Sequence, residues 1–257
     1  MNWYDDLCEY YNVTPEEAID LGTKKKDKNG NRITRTYKRF PGSRTCKEIK
    51  NGNFDDVWDK EDRNTLADKM KFYKDLGSYM VFRQCSYRKS FDYADLFYKY
   101  LKKDCSILEY GCGVAPFTNY MIENKWYENR SLNFSLVDVG GEHMEFAKWR
   151  LGKKINEDFK FYEITADNLL PNFNINFDII CLMDVLEHLP NPFDVINNIY
   201  NHCNKGAILV YTWVDGKTEN GRADLEEAEE EREITMNFIK NNFEFLQESR
   251  VSICRKK

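Results

Sequence analysis

The pattern of hydrophobic and polar residues along the chain changes near residue 105. Before that point, apolar and aromatic residues recur at helical spacing within 61–103, with a further helix predicted over 91–101. After it, short apolar runs alternate with helical stretches predicted at 116–125, 141–151 and 192–203. The predicted strands cover 106–111, 135–139, 159–164, 177–184, 206–213, 243–249 and 250–257.

The order of these elements predicts the fold class. Strands that alternate with helices at this spacing indicate βαβ units and a parallel sheet. The last two strands follow each other with no room for a crossover helix, so one of them must run antiparallel. We therefore predict an α/β fold with a doubly wound, mostly parallel seven-stranded sheet and a C-terminal antiparallel hairpin. Residues 105–257 form this core, and residues 1–104 form a mainly helical extension.

Charge is unevenly distributed along the 257 residues, whose net charge is −5. Residues 23–50 hold eleven Lys or Arg against two acidic residues, whereas residues 224–233 hold seven acidic residues and one Arg. The mild overall acidity predicts no global attraction to nucleic acid or membranes. The eight cysteines include no CxxC pair, and neither a signal peptide nor an apolar run long enough for a membrane span is present. These features predict free thiols and a cytoplasmic protein.

A glycine turn follows the first predicted strand of the core. Glu109, Gly111, Cys112 and Gly113 lie where the strand meets a helix, and glycine lets a ligand approach the backbone closely. A dinucleotide site normally has a third glycine three residues later, which this chain lacks. An acid immediately before the turn repels phosphate and attracts a cation. S-adenosylmethionine carries an ammonium and a sulfonium and no phosphate, so it suits the turn better than a dinucleotide; an ordinary strand-to-helix turn is the alternative.

The segment ILEYGCGVAPFT, residues 107–118, resembles motif I of class I S-adenosylmethionine-dependent methyltransferases, whose pattern is E/D-x-G-x-G. The resemblance extends over about 105–213 and does not include 1–90. It departs from the family at Ala115, where a third glycine is frequent. It implies that S-adenosylmethionine is the cofactor and that Glu109, Gly111, Cys112 and Gly113 bind it.

Two later loops extend this cofactor site. Asp138 ends the second core strand, where a carboxylate is able to accept hydrogen bonds from both ribose hydroxyls. The resemblance implies that Asp138 binds the ribose, that Val139 packs on the adenine, and that Ala166 and Asp167 hold the adenine edge. A solvated acid at a strand end and an ordinary polar turn are the alternatives.

The fourth core strand ends in MDVLEHLP, residues 183–190, which resembles a segment of small-molecule methyltransferases. Asp184 is placed at the mouth of the site, beside both cofactor and acceptor. His188 has the chemistry to take a proton from a hydroxyl or amine, and it is equally suited to anchoring the loop. Asp184, Glu187 and His188 also have the ligand types for a divalent metal, although the family often keeps this segment without one. The predicted site contains no metal.

Three functions remain open. The first is methyl transfer to an O or N nucleophile of a small-molecule acceptor. The second is methylation of RNA or DNA with 23–50 as the binding arm, although MDVL replaces the N/D-P-P-Y/F segment of amino-methylating DNA enzymes. The third is a catalytically inactive binding module. A lid near 79–83, with Arg83 meeting the cofactor carboxylate, is a further hypothesis.

Overall fold

The computed structural model describes most of the chain after residue 97 and shorter pieces before it. The described residues are 3–14, 25–26, 32–33, 65–75, 77, 80–81, 84–85, 96, 98–154, 159–166, 168–213 and 225–257.

A seven-stranded sheet forms the centre of the molecule. Its strands are β3 (Asp104–Tyr110), β4 (Ser131–Asp138), β5 (Phe159–Glu163), β6 (Phe177–Leu182), β7 (Cys203–Tyr211), β8 (Phe243–Gln247) and β9 (Ser252–Lys256). Their order is β5-β4-β3-β6-β7-β9-β8. The first five strands are parallel and β9 pairs antiparallel with both β7 and β8. The predicted mostly parallel sheet with a C-terminal antiparallel hairpin is therefore confirmed.

Helices connect the strands. They are α1 (Trp3–Tyr11), α2 (Leu66–Asp75), α3 (Pro116–Glu123), α4 (Glu142–Lys154), α5 (Pro192–Asn201), α6 (Glu226–Glu230) and α7 (Arg232–Asn242), and a short 3-10 helix covers Leu186–His188. A two-residue ribbon pairs β1 (Lys25–Lys26) with β2 (Arg32–Ile33).

Successive residues of the strands point to opposite faces of the sheet, so each strand contributes to two apolar layers. Ile107 and Ile179 belong to the layer shared with α3 and α4, whereas Leu108 and Ile180 belong to the layer shared with α5 and α7. All four side chains are fully buried. Burial on both faces explains why these strands read as unbroken apolar runs.

Two strands begin at least three residues earlier than their apolar runs indicate. β4 starts at Ser131 rather than 135, and β7 starts at Cys203 rather than 206. In the added part of β4, buried Leu132 lies between the exposed residues Ser131 and Asn133. In the added part of β7, buried Cys203 is followed by two more exposed polar residues, Asn204 and Lys205. The polar residues conceal these strand starts in the sequence pattern.

The N-terminal segment packs against the core through α1 and α2. A third apolar cluster joins Leu7 of α1 and Phe72 of α2 to Val114 and Phe146. Within the same contact, Asp6 accepts a hydrogen bond from Arg150 Nε at 2.7 Å, and both side chains are buried. The division of the chain at residue 104 stays a prediction, and residues 91–95 and 97 of the helix predicted over 91–101 lie outside the described residues.

Two further features concern the cysteines and the length of the helices. The seven cysteines in the described part of the chain are free thiols. No described helix combines the length and apolarity that crossing a membrane requires.

Candidate active site

The predicted site residues converge at one edge of the sheet. β3, β4, β6 and β7 are parallel, so the residues that follow their carboxyl ends meet at the same side. The glycine turn, Asp138 and Asp184 each follow or end one of these strands.

The glycine turn requires unusual backbone angles and close packing. Gly111 and Gly113 have φ of 71° and 51°, which only glycine adopts without a steric cost. The N–H groups of Gly111 and Cys112 donate to the Val137 carbonyl at 2.8 and 2.9 Å, which ties the turn to β4. A Cβ atom on Gly111 would overlap the Val185 side chain. The turn is therefore tightly packed between β4 and the loop after β6.

Glu109 stabilises the start of α3 rather than facing open solvent. Its Oε1 accepts the Phe117 N–H at 3.2 Å, and its Oε2 accepts the Thr118 N–H and hydroxyl at 3.0 and 2.7 Å. Burial raises the pKa of Glu109 to about 7, although these three hydrogen bonds act in the opposite direction. The carboxylate thereby satisfies N–H groups that a helix leaves unpaired.

Asp138 is directly bonded to the glycine turn. Its Oδ2 accepts the Gly113 N–H at 2.7 Å, and its Oδ1 accepts the Val139 N–H at 2.7 Å. His143 Nε2 lies 2.9 Å from the same Oδ1. Burial acts to raise the pKa of Asp138, but His143 and the backbone donors outweigh it and hold the pKa below its ordinary value. The acid is therefore ionised at neutral pH beside the turn.

Two further predicted cofactor residues, Val139 and Ala166, follow the carboxyl ends of β4 and β5. Val139 is half-buried against the apolar layer of α5 and α7. Ala166 is exposed in a loop closed by mutual backbone hydrogen bonds between Thr165 and Asn168, at 3.2 and 3.0 Å. Asp167 lies outside the described residues, as does Arg83.

The loop after β6 holds the predicted catalytic residues. Asp184 is exposed and has a left-handed φ of 54°. Thr212, at the end of β7, accepts the Asp184 N–H at 2.6 Å and donates its hydroxyl to Oδ1 at 2.8 Å. His188 is half-buried, and its ring lies 6.3 Å from that of Tyr73. The carboxylate and imidazole thus occupy one short loop at the same edge.

Helix α2 extends across this edge of the sheet. Lys69 pairs with Glu227 of α6, and Lys74 pairs with Glu163 at the end of β5. Between them, Tyr73 faces His188. Farther along the N-terminal segment, Gln84 accepts the Val114 N–H at 2.9 Å beside the glycine turn. The N-terminal segment therefore contacts both halves of the site.

Comparison with known families identifies this arrangement. A family model described as a methyltransferase domain matches residues 81–247, which is more than half of the chain. The chain belongs to the class I S-adenosylmethionine-dependent methyltransferases. The family and cofactor predicted from 107–118 are thereby confirmed, and the enzyme is a methyltransferase. A search of curated proteins found no match.

Solved structures similar to the methyltransferase include three of bacterial origin. An S-adenosylmethionine-dependent methyltransferase from Clostridium acetobutylicum is 18% identical, with a TM-score of 0.39; the match covers 49% of each chain. The chain thus spans about half the length of that relative. The N-methyltransferase NodS from Bradyrhizobium japonicum is 13% identical over 66% of this chain and 95% of its own, with a TM-score of 0.46. A putative rRNA-methylase from Clostridium thermocellum is 11% identical over 65% and 93%, with a TM-score of 0.49.

Three residues of the methyltransferase site were missed in the sequence pattern. They are Gln84, His143 and Thr212, each of which bonds to a predicted residue or to the glycine turn. Only His143 carried a signal, since a polar residue five positions after Asp138 falls in the first turn of the next helix. As for a metal, no group of three or more potential ligands is arranged to hold an ion within the described ranges.

Proposed function

We propose that this methyltransferase transfers the methyl group of S-adenosylmethionine to an O or N nucleophile of a small-molecule acceptor. The observation that carries the cofactor assignment is the 2.7 Å hydrogen bond from the Gly113 N–H to Asp138. This bond joins the glycine turn to Asp138, the two places that the sequence pattern assigned to opposite parts of one bound nucleoside. Had these lain far apart, the assignment would have failed.

The chemistry of the residues fits this cofactor. An ionised carboxylate at the glycine turn repels phosphate groups and accepts hydroxyl donors. We assign the ribose to Asp138, the adenine to Val139 with Ala166 and Asp167, and the methionine part to Glu109, Gly111, Cys112 and Gly113. Glu109 acts by fixing the start of α3, because its oxygens already bind Phe117 and Thr118. S-adenosylmethionine, when bound, supplies an electrophilic methyl group.

Asp184 and His188 are assigned to the acceptor. Thr212 holds Asp184 by two hydrogen bonds in a backbone conformation that costs energy, which is a common feature of functional positions. From there, Asp184 orients the acceptor. His188 is the proton acceptor for a hydroxyl or amine, because a neutral imidazole nitrogen is able to accept a proton. Methyl transfer itself requires mainly an in-line approach of the nucleophile.

The position of α2 favours a small acceptor over a nucleic acid. Its contacts with Glu227, His188 and Glu163 extend across the edge where the methyl group is transferred. We infer that a helix placed over this edge is easier to reconcile with a free small molecule than with a base held within a polymer. The basic segment 23–50, on which the nucleic-acid alternative depends, lies outside the described residues except at 25–26 and 32–33.

The cofactor assignment is tested by calorimetry with S-adenosylhomocysteine. We expect Asp138→Ala to weaken binding roughly tenfold to a hundredfold, as loss of a hydrogen-bonded charged group does. Glu244→Gln on the edge strand β8 is the matched control, because that acid is exposed and pairs only distantly with Arg255. Unchanged affinity in Asp138→Ala would refute the ribose assignment. Absence of binding in the unaltered protein would favour the inactive module.

The acceptor class is tested with tritiated S-adenosylmethionine. The enzyme is incubated separately with an RNA-free metabolite extract and with purified total RNA. We expect label in small molecules and none in RNA. Label in RNA that disappears when Lys24, Lys25 and Lys26 are replaced by Gln would establish the nucleic-acid alternative instead.

A further inference from the structure

The two carboxylate oxygens of Asp138 differ in how many hydrogen bonds they are still able to accept. Each oxygen of an ionised carboxylate has about two acceptor sites. Oδ1 already receives the Val139 N–H at 2.7 Å and lies 2.9 Å from His143 Nε2, so both of its sites are used. Oδ2 receives only the Gly113 N–H among the residues that the structure describes, at 2.7 Å. One acceptor site therefore remains open, and it belongs to Oδ2.

His143 is the side chain that creates this asymmetry. It is the second residue of α4, and only 3% of its side chain is exposed. Because the facing carboxylate carries no proton at neutral pH, Nε2 must be the donor in the bond to Oδ1. The other ring nitrogen, Nδ1, is buried and has no hydrogen-bond partner in the described part of the protein.

Burial and the bond to Oδ1 hold the His143 ring in place, so Nε2 is a fixed donor.

We propose that His143 is a positioning residue. By occupying Oδ1, it causes Asp138 to accept a strong hydrogen bond from one ribose hydroxyl, through Oδ2, rather than binding both hydroxyls equally. The proposal rests on the assignment of the ribose to Asp138. A second hydroxyl bonds to Oδ1 only if His143 or the Val139 N–H gives up its bond. The two hydroxyls of the cofactor therefore contribute unequally to affinity.

Two analogues of S-adenosylhomocysteine test this asymmetry, one lacking the 2′-hydroxyl and one lacking the 3′-hydroxyl. By calorimetry on the unaltered protein, we expect one analogue to lose roughly tenfold to a hundredfold in affinity, as removal of a bond to a charged group predicts. The other analogue should lose less than about threefold. Equal losses for both analogues would overturn the proposal while leaving S-adenosylhomocysteine binding, and hence the proposed function, intact. Failure of S-adenosylhomocysteine itself to bind would overturn both.

Two variants then assign the asymmetry to His143. His143→Phe fills similar volume without a donor, which frees one site on Oδ1, and we expect the difference between the analogues to fall below about threefold. His143→Gln keeps an N–H donor, and we expect it to preserve the unequal pattern. If both variants behave like the unaltered protein, His143 does not position Asp138. If His143→Phe does not fold, loss of the unequal pattern in His143→Gln would refute the role of the donor.

Discussion

The two halves of the carboxyl edge differ in how completely their polar groups are bonded. At the ends of β3 and β4, the buried carboxylate of Glu109 and the half-buried carboxylate of Asp138 each take part in three hydrogen bonds. At the ends of β6 and β7, Asp184 is exposed, and Thr212 is the one described side chain that bonds to its carboxylate. The first half is preorganised, as suits a ligand that does not vary. The second half retains free hydrogen-bonding capacity, as suits a methyl acceptor that differs from one methyltransferase to another.

The largest effect is expected where the preorganised half is most crowded. Gly111→Ala places a Cβ into the Val185 side chain at a left-handed φ, so we expect about 2–4 kcal/mol lower stability. Gly152→Ala in α4 is the matched control, because nothing lies near its added Cβ, and it should gain about 0.5–1 kcal/mol. Urea unfolding measures both changes. Equal stability of the two variants would show that the turn is not tightly packed.

The next largest effect on the free energy of unfolding is expected from the titration of Glu109. Its folded pKa of about 7 lies above the ordinary value of 4.5, so its favourable contribution is complete below about pH 4.5 and is lost as pH rises through 7. Compared with Glu109→Gln, the unaltered protein should lose on the order of 3 kcal/mol of unfolding free energy across that window. Urea unfolding from pH 5 to 8 tests this, and parallel pH profiles for the two proteins would contradict it.

A smaller effect is expected in the open half. Thr212→Val removes both hydrogen bonds to Asp184 while keeping the shape of the side chain, and we expect about 1–2 kcal/mol lower stability. Thr235→Val in α7 is the control, since the one bond of its hydroxyl within the described residues goes to the Glu231 carbonyl one turn earlier, where loss is expected to cost less. Thermal unfolding compares them, and a larger loss in Thr235→Val would argue against a specific role for Thr212.

The smallest effect is expected at the ion pair that joins α2 to the sheet. Lys74 and Glu163 are 37% and 48% exposed, so Lys74→Met should change stability by no more than about 0.5–1 kcal/mol. Lys125→Met is matched to it, because Lys125 pairs with Glu128 at an exposed site away from α2. Unfolding at low and high salt measures both. A markedly larger effect at Lys74 would mean that α2 is docked more firmly than its surface pair indicates.

Much of the core was predictable because strands buried on both faces leave continuous apolar runs. That pattern predicted a strand over 177–184, where β6 covers Phe177–Leu182. The hairpin that β8 and β9 form was predictable for another reason, since the chain between them has no room for a crossover helix. The early part of β4 was missed because Asn133 is exposed between buried neighbours. In the site, the adjacency of Gly113 and Asp138 followed from strand order. The bonds of Gln84, His143 and Thr212 depend on side-chain directions across separate elements, which residue spacing does not encode.

The position of β9 has a consequence for how the protein is made. Residues 252–256 form an inner strand whose two sides pair with β7 and β8. Until that segment has been synthesised and folded, β7 has no partner on its outer side and β8 cannot join the sheet. Before residues 252–256 pair, the nascent methyltransferase therefore exposes an unpaired strand edge that is prone to aggregation.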